Sequence, residues 1–297
     1  MYILGFILGT ATGSFIKVLA DRSLTRKTFS GRSYCTYCKA GLRWYDLFPI
    51  LSYIFLKGKC RYCHKKIGFE YPLVEIINGL LIGFLFWKSF QNFQSFDFAQ
   101  DKFSILVADL LFKTFFISIL VSLAITDLKK MLIPDRIILP SIVITLIYFL
   151  VSNVIKIVYL YYFLSKSTIG KLLLPPHSLY FQRHVFMTIE PFIYSCLAAL
   201  AIGGFFLGLI ILTKGKGMGG GDVKLGAFLG LGLGFPNSLV ALMAAFISGS
   251  VIALILVALG KKNFGEQIPF GPFLVFGGIT AIFFGEQIIN WYLHLSI

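Results

Sequence analysis

Repeated apolar runs of membrane-spanning length restrict the fold of this chain more than any other feature. A transmembrane helix needs about 20 predominantly apolar residues. Hydrophobic residues make up 57% of the 297 residues, whereas charged residues make up only 13%. A soluble core does not need so many long apolar runs. The sequence therefore predicts an all-α polytopic membrane protein with about eight transmembrane helices.

The predicted chain has four parts. Residues 1–20 form the first transmembrane helix, which has no basic leader or cleavage site and is expected to be retained. Residues 21–71 form a small soluble module, residues 72–102 a second transmembrane helix and loop, and residues 103–297 a polytopic domain with the remaining spans. Residues 155–190 are ambiguous: their apolar run is too short to span a membrane alone, so whether they cross it stays open.

Glycines recur at every fourth residue of the first predicted helix, at Gly5, Gly9 and Gly13. This spacing places small residues on one side of a helix and permits close packing against a neighbour. Glycine is also tolerated in membrane helices without a packing role, so both interpretations stand.

The net charge of +14 is concentrated where a membrane protein would place it. Residues 21–71 contain 11 of the 27 lysines and arginines but only three acids, which predicts a cytoplasmic loop by the positive-inside rule. Alternating spans then place the later lysine pairs, and both Asp127 and Asp222, on the cytoplasmic side. No recognition motif accompanies the basic charge, which argues against nucleic-acid binding.

Two C-x-x-C pairs lie in the basic module. Their residues are Cys35, Cys38, Cys60 and Cys63, with 21 residues between the pairs. Two such turns can complete a tetrahedral four-thiolate shell around Zn²⁺, and that closed shell is typical of a structural site. Two disulfides are the alternative, but they are rare in the reducing cytoplasm. The sequence favours zinc, which would hold together a small loop with few aliphatic residues.

An aspartate follows a glycine-rich stretch at a predicted membrane boundary: Asp222 is preceded by Gly217-Met218-Gly219-Gly220-Gly221. A second aspartate, Asp127, ends another apolar run. Ionisable groups at membrane depth are costly and usually functional. Two carboxylates that share one proton can act as base and acid on a water molecule, which predicts an aspartic protease. Asp135 is the rival first aspartate, but its position after Pro134 is typical of a helix start.

The segment Gly217–Leu225 resembles the G-x-G-x-G-D-x-K-L signature of prepilin peptidases, the type IV leader peptidases. Thr126-Asp127-Leu128, followed by Ile133-Pro134-Asp135, is similar to the family's first-aspartate motif, which implies that Asp127 rather than Asp135 is catalytic. Further matching segments occur in order along the chain: Gly13-Ser14-Phe15, the cysteine pairs, Glu70–Glu75 and Pro269–Phe273. Thr36 stands where the family usually has proline. A lone G-x-G-D would also fit presenilin-like proteases.

The resemblance implies a bifunctional enzyme of the bacterial inner membrane. It would remove the basic leader of type IV prepilins or type II secretion pseudopilins on the cytoplasmic side. It would then methylate the new amino terminus with S-adenosylmethionine, an activity that goes with the cysteine module. Membrane lipid is the other expected partner.

Substrate contacts are predicted at two places. Glu70 and Glu75 flank the start of the second span, where an acid could contact the basic leader or the free amine. A helix-start acid is the alternative role. Around Asp222, glycine permits close backbone approach. The predicted substrate-binding residues there are Gly217, Gly219, Gly221 and Lys224.

Two other functions remain open at this point. Asp127 and Asp222 could form the relay of a proton- or ion-coupled transporter, because acids within spans also serve pumps. The internal inverted repeats typical of such transporters are not evident in the sequence. The chain could also be a membrane anchor for a zinc interaction module, but the glycine–aspartate stretch would then have no role.

Overall fold

The computed structural model describes residues 1–25, 28–29, 31–93, 100–166, 168–176, 178–215, 218–263 and 266–295. Its helices, in chain order, are α1 (Tyr2–Leu24), a short 3-10 helix (Trp44–Leu47), α2 (Leu51–Phe55), α3 (Glu70–Phe93), α4 (Gln100–Lys130), α5 (Asp135–Lys166), α6 (Thr168–Leu172), α7 (Tyr180–Leu212), α8 (Gly220–Leu233), α9 (Asn237–Ala258) and α10 (Gly271–Leu295). Across the described ranges the sheet-type pairing consists of two isolated bridges. The predicted all-α class is confirmed.

Seven of the described helices are long and apolar enough to cross a membrane. The sequence predicts about eight, and the difference lies in α8. This helix has 14 residues and is roughly 21 Å long at 1.5 Å per residue. The hydrocarbon core of a bilayer is about 30 Å thick. The helix that begins around Asp222 is therefore shorter than a full span.

The ambiguous segment 155–190 belongs mostly to two long helices. Helix α5 continues to Lys166 over 32 residues, and α7 starts at Tyr180 and has 33 residues. Between them, the described residues form the short α6 and its flanking turns. The polar ends of these helices made the segment look like a loop in the sequence.

The chain forms two compact units, Met1–Ile137 and Ile138–Ile297. In the first unit, α1 packs closely along α3. A Cβ atom on Gly5 would lie 2.8 Å from Phe86, one on Gly9 would lie 2.8 Å from the backbone of Asn78, and one on Gly13 would lie 3.0 Å from Glu75 Cα. The packing role of the glycine spacing is thus confirmed, because any side chain here would push the two helices apart.

A buried polar contact joins the three long helices of the first unit. The Nδ2 group of Asn78 on α3 donates to the Gly9 carbonyl (2.8 Å) and the Thr12 hydroxyl (2.9 Å) of α1. It also lies 3.4 Å from Ser118 Oγ on α4. In an apolar surrounding, such hydrogen bonds help to set which helix faces meet.

In the second unit, α8 rests against α7 with little space between them. A Cβ atom on Gly230 would lie 2.7 Å from the Ala198 carbonyl oxygen, and one on Gly226 would lie 2.5 Å from the ring of Phe206. Phe206 is fully buried, and its ring lies 6.1 Å from that of Phe270, just before α10. The short helix is therefore supported by an aromatic cluster that includes a residue of the Pro269–Phe273 segment.

Candidate active site and metal centre

The four cysteines of the module come together as predicted. Their Sγ atoms all lie within 4.8 Å of one another, and the Sγ atoms of Cys35 and Cys63 are 3.9 Å apart. All four are free thiols. A tetrahedron of sulfurs at 2.3 Å from a Zn²⁺ ion has edges of roughly 3.8 Å. The cluster therefore has the size of a four-thiolate metal site, and the disulfide alternative is absent from it.

The two cysteine turns have the same backbone design. The Cys35 and Cys60 carbonyls each accept a hydrogen bond of 2.9 Å, from the N–H of Lys39 and His64 respectively. Lys39 and His64 adopt matching positive φ angles of 56° and 55°. This left-handed residue after each second cysteine closes the turn and presents two sulfurs on one side. The repeated geometry explains why the two pairs converge on one point.

Backbone and neighbouring groups shift the thiol pKa values in opposite directions. Although burial raises the pKa of Cys35, the N–H groups of Cys38 and Tyr37 lower it to about 7. The Lys65 N–H lowers the pKa of Cys63, but burial and the surrounding thiols outweigh it and raise the value to about 11. Four thiols this close cannot all ionise without a compensating cation, and a metal bound there would supply that charge.

Asp127 lies in the last turn of α4 and is 5% exposed. The helix ends three residues later at Lys130, since the next residue, Met131, has a φ angle of 51°. The Met131 N–H donates a hydrogen bond of 2.7 Å to the Asp127 carbonyl. Asp135, the rival residue, is exposed and is the first residue of α5. Asp135 lies at a helix start, as the sequence predicts, whereas the catalytic role of Asp127 stays a prediction.

Asp222 is the third residue of α8 and is 9% exposed. Its N–H donates to the Gly219 carbonyl at 3.1 Å, which forms the first turn of the helix. The N-terminal end of a helix favours a negative charge. Asp127 belongs to the first compact unit and Asp222 to the second.

The glycines before Asp222 leave open space at the helix start. No described atom lies within 4 Å of the position that a Cβ atom would take on Gly219 or Gly220. Gly221 and Lys224 lie in the first two turns of α8 and are half-buried. Gly217, the remaining predicted substrate contact in this stretch, lies outside the described residues.

Sequence reasoning missed an ion-pair network at the end of α4. Lys17 Nζ contacts Asp21 at 2.8 Å and Glu70 at 3.2 Å. Lys129, two residues after Asp127, contacts Asp21 at 3.2 Å and also pairs with Glu70. The network joins α1, the start of α3 and the end of α4. The signal was present, since Lys17 is a charged residue within an apolar run.

The two glutamates at the start of α3 have different surroundings. The Glu70 side chain is 59% exposed while it pairs with Lys17 and Lys129. Glu75 is 7% exposed, and its Oε2 accepts a hydrogen bond of 2.7 Å from the backbone N–H of Ile50. Glu75 also hydrogen-bonds Ser14 of the Gly13-Ser14-Phe15 segment. Glu75 therefore ties α1 and the cysteine module to α3.

Comparisons with known proteins agree with this arrangement. Residues 7–89 match the bacterial peptidase A24 N-terminal domain, and residues 114–254 match the type IV leader peptidase family. The second match includes both Asp127 and Asp222. No solved structure is significantly similar to this chain.

Similar curated proteins carry the name prepilin leader peptidase/N-methyltransferase. One from Legionella pneumophila is 30% identical over 266 residues, which cover 89% of this chain and 76% of that protein. One from Bacillus subtilis is 29% identical over 293 residues and covers 98% of both chains. One from Aeromonas salmonicida is 28% identical and covers 88% of this chain and 74% of that protein. This chain belongs to the type IV leader peptidase family, which confirms the family predicted from its motifs.

Proposed function

We propose that the protein is a membrane aspartic endopeptidase that removes the leader of type IV prepilins or pseudopilins and methylates the new amino terminus. The proposal rests on one observation: the aspartates of the two family motifs are both buried. The segment matched to the leader peptidase family contains two buried carboxylates, Asp127 at the end of α4 and Asp222 at the start of α8.

In this proposal the two aspartates share one proton and divide the work of hydrolysis. The ionised carboxylate takes a proton from water as its oxygen attacks the scissile carbonyl carbon, and the protonated carboxyl donates to the carbonyl oxygen. The C–N bond then breaks as the amine takes up a proton. Asp127 and Asp222 exchange these roles, so the titration belongs to the pair.

The active side is proposed to face the cytoplasm of a bacterial inner membrane. The basic residues of the module between α1 and α3 support this orientation by the positive-inside rule. Helix α3 crosses the membrane from this module to the opposite side. Helix α4 then returns the chain to the side of the module at Asp127. Asp222 follows two further crossings, α5 and α7, so the same orientation applies to both aspartates.

The cysteine cluster is proposed to hold one structural Zn²⁺. The support is the size of the cluster, with all Sγ atoms within 4.8 Å, and four sulfur ligands that leave no open position. Bound there, the ion supplies charge compensation and a cross-link. We assign the methylation activity to the part of the chain built around this module, residues 1–102, and peptide hydrolysis to residues 103–297.

Methylation is proposed to use S-adenosylmethionine as donor. The new terminal amine attacks the methyl carbon, the bond to the sulfonium sulfur breaks, and the nitrogen releases a proton. The support is the name of the curated relatives, prepilin leader peptidase/N-methyltransferase, together with coverage of 98% of the Bacillus subtilis protein.

Substrate contacts are proposed at the exposed carboxylate of Glu70 and along the start of α8. The open space beside Gly219 admits an extended backbone close to Asp222. Gly217, Gly221 and Lys224 complete this proposed contact, and Glu75 is kept as a second acidic candidate. Of the two acids, Glu70 has the more accessible side chain.

The test is an assay of the purified protein in lipid nanodiscs with a synthetic prepilin. Mass spectrometry should find cleavage at the leader boundary without S-adenosylmethionine, and a single added methyl group on the product when the donor is present. A transporter would instead carry protons or ions across vesicles and leave the peptide intact. Ion flux without cleavage would overturn the proposal in favour of the relay.

A further inference from the structure

The cysteine module exposes a set of large apolar side chains on its two short helices. Leu51, Ile54 and Phe55 of α2 are 53%, 63% and 81% exposed. Their spacing of three and four residues places them on one side of the helix. Trp44 and Phe48, on and just after the 3-10 helix, are also exposed, and their rings lie 5.9 Å apart. We call these five residues the apolar face of the module.

Glu75 determines the depth of this apolar face relative to the bilayer. The Glu75 carboxylate binds the N–H of Ile50, the residue directly before α2. Glu75 is five residues into α3, and therefore roughly 7.5 Å along the axis from its start at Glu70. The apolar span of α3 covers 22 residues, or roughly 33 Å against a hydrocarbon core of about 30 Å. Ile50 consequently lies level with the outer part of the bilayer.

The direction of α2 is held by the same contact. Ile50 has φ 60° and ψ −50°, and the Leu51 N–H donates to the Pro49 carbonyl. This is a γ-turn of the strained kind, and a β-branched residue adopts it only where neighbours hold it. On the other side of α2, the Tyr53 hydroxyl reaches the Ile67 carbonyl. The helix is thus fixed to the module on one side and apolar on the other.

The charge of the module fits an anionic surface. Residues 25–69 contain ten lysines and arginines and one acid, Asp46. That acid is paired with Arg61 at 2.7 Å, and this contact helps to hold the pKa of Asp46 low despite its burial. Basic residues next to a span attract anionic headgroups. The basic leader of the proposed substrate would meet the same charge with repulsion, which makes it a poor occupant of the apolar face.

We propose that the apolar face of the module docks on the leaflet from which α1 and α3 emerge. Interfacial segments of this kind bury apolar side chains about 5–10 Å into the headgroup and acyl boundary, and tryptophan is enriched at that depth. The lipid surface holds the module at a constant height beside the ends of α1 and α3. This docking does not depend on the proposed peptidase activity.

The test uses the full-length protein in vesicles of phosphatidylcholine and phosphatidylglycerol. The chain has three tryptophans, so Trp87→Phe with Trp291→Phe leaves Trp44 as the single probe. We expect Trp44 to be quenched by lipids brominated near the headgroup, more weakly by lipids brominated near the bilayer centre, and poorly by aqueous iodide. Strong iodide quenching without lipid quenching would overturn the proposal.

Two further probes locate the contact within the module. With Trp44→Phe added, Phe55→Trp should behave as Trp44 does. Tyr37→Trp, on the first cysteine turn and 60% exposed in the native residue, should be quenched by iodide. Equal lipid quenching of all three probes would mean that the whole module enters the bilayer, which contradicts docking by one face. Iodide protection of Trp44 that arises only when a prepilin peptide is added would assign the face to the substrate instead.

The side chains are tested directly with the triple variant Leu51→Ser, Ile54→Ser and Phe55→Ser. Iodide quenching of Trp44 should increase several-fold, while bound zinc per chain stays unchanged and shows that the cysteine cluster is intact. Ser52→Ala, elsewhere on α2, is the matched control and should leave the quenching as it was. An unchanged quenching pattern in the triple variant would refute the docking role of this face.

Discussion

Lys17 and Asp21 form an ion pair of 2.8 Å within α1, and the Lys17 side chain is completely buried while that of Asp21 is 30% exposed. Glu70 and Lys129 complete the network from α3 and α4. Because Lys129 follows Asp127 by two residues, the network fixes the end of the helix that carries the first proposed catalytic aspartate.

Lys17→Met should destabilise the first unit, because it leaves Asp21 and Glu70 to share the single charge of Lys129. Breaking a buried pair costs about 3–5 kcal/mol and an exposed one about 0–1 kcal/mol. We expect an intermediate loss of about 2 kcal/mol for this half-open network. Thermal unfolding in detergent measures it. Lys113→Met is the matched control, since Lys113 pairs with Asp109 where both side chains are 41% exposed. Equal losses of stability in the two variants would show that the network stabilises the protein no more than an exposed ion pair does.

Asp127→Asn and Asp222→Asn should each abolish leader cleavage while the protein stays folded. Either change removes a proton-transfer role that the remaining carboxylate cannot fill, and loss of one member of a catalytic unit costs about as much as loss of the whole. Product formation measured by mass spectrometry checks this. Asp135→Asn, at the exposed start of α5, should retain cleavage. Near-normal turnover in either of the first two variants would make the pair assignment wrong.

Cys35→Ser or Cys60→Ser should release about one equivalent of zinc per chain, because a structural zinc site supplies much of the folding free energy of so small a module. The two variants should behave alike, since the two turns share one backbone design. Methylation should fail more completely than cleavage. Metal content, cleavage and methyl incorporation are measured on the same preparations, with Cys196→Ser as control. Loss of cleavage with intact methylation would reverse the proposed division of labour.

Gly226→Ala should displace α8 and lower cleavage, because the added Cβ atom would lie 2.5 Å from the buried ring of Phe206. Overpacking of this kind costs about 1–3 kcal/mol. Gly204→Ala on α7 is the matched control, since no described atom lies within 4 Å of its Cβ position. Adding Phe206→Leu to Gly226→Ala should restore part of the stability and the turnover. Failure of this rescue would place the cause outside the contact between α7 and α8.

Glu70→Gln should raise the KM for a prepilin with a basic leader and weaken its dependence on salt, while kcat changes little. A change in KM alone indicates loss of uniform substrate binding. Glu75→Gln keeps an acceptor oxygen for Ile50 and tests the second acidic candidate: the same change in KM in this variant would move the leader contact to Glu75. The assay compares initial rates over a series of salt concentrations. An unchanged salt dependence in Glu70→Gln would remove the proposed leader contact from this residue.

The sequence by itself determined the features that depend on composition and spacing. In lipid, a long apolar run can pair all of its own backbone N–H and C=O groups only as a helix. The fold class and most span positions were therefore predictable. The four cysteines and the glycines at Gly5, Gly9 and Gly13 were found because a tetrahedral site and a close helix crossing require those residues at those intervals. The same holds for the family motifs around Asp127 and Asp222.

Only the tertiary structure decided which distant polar groups pair. Asp21, Glu70 and Lys129 lie in separate parts of the chain, and no local periodicity links them to Lys17. The anchoring of Ile50 by Glu75 is equally invisible in sequence, because a backbone N–H has no residue signature. The close approach of α7 and α8 at Gly226 and Gly230 also became evident only from the packed helices. Local sequence patterns predict helices and motif residues, whereas contacts between distant residues depend on how those helices pack.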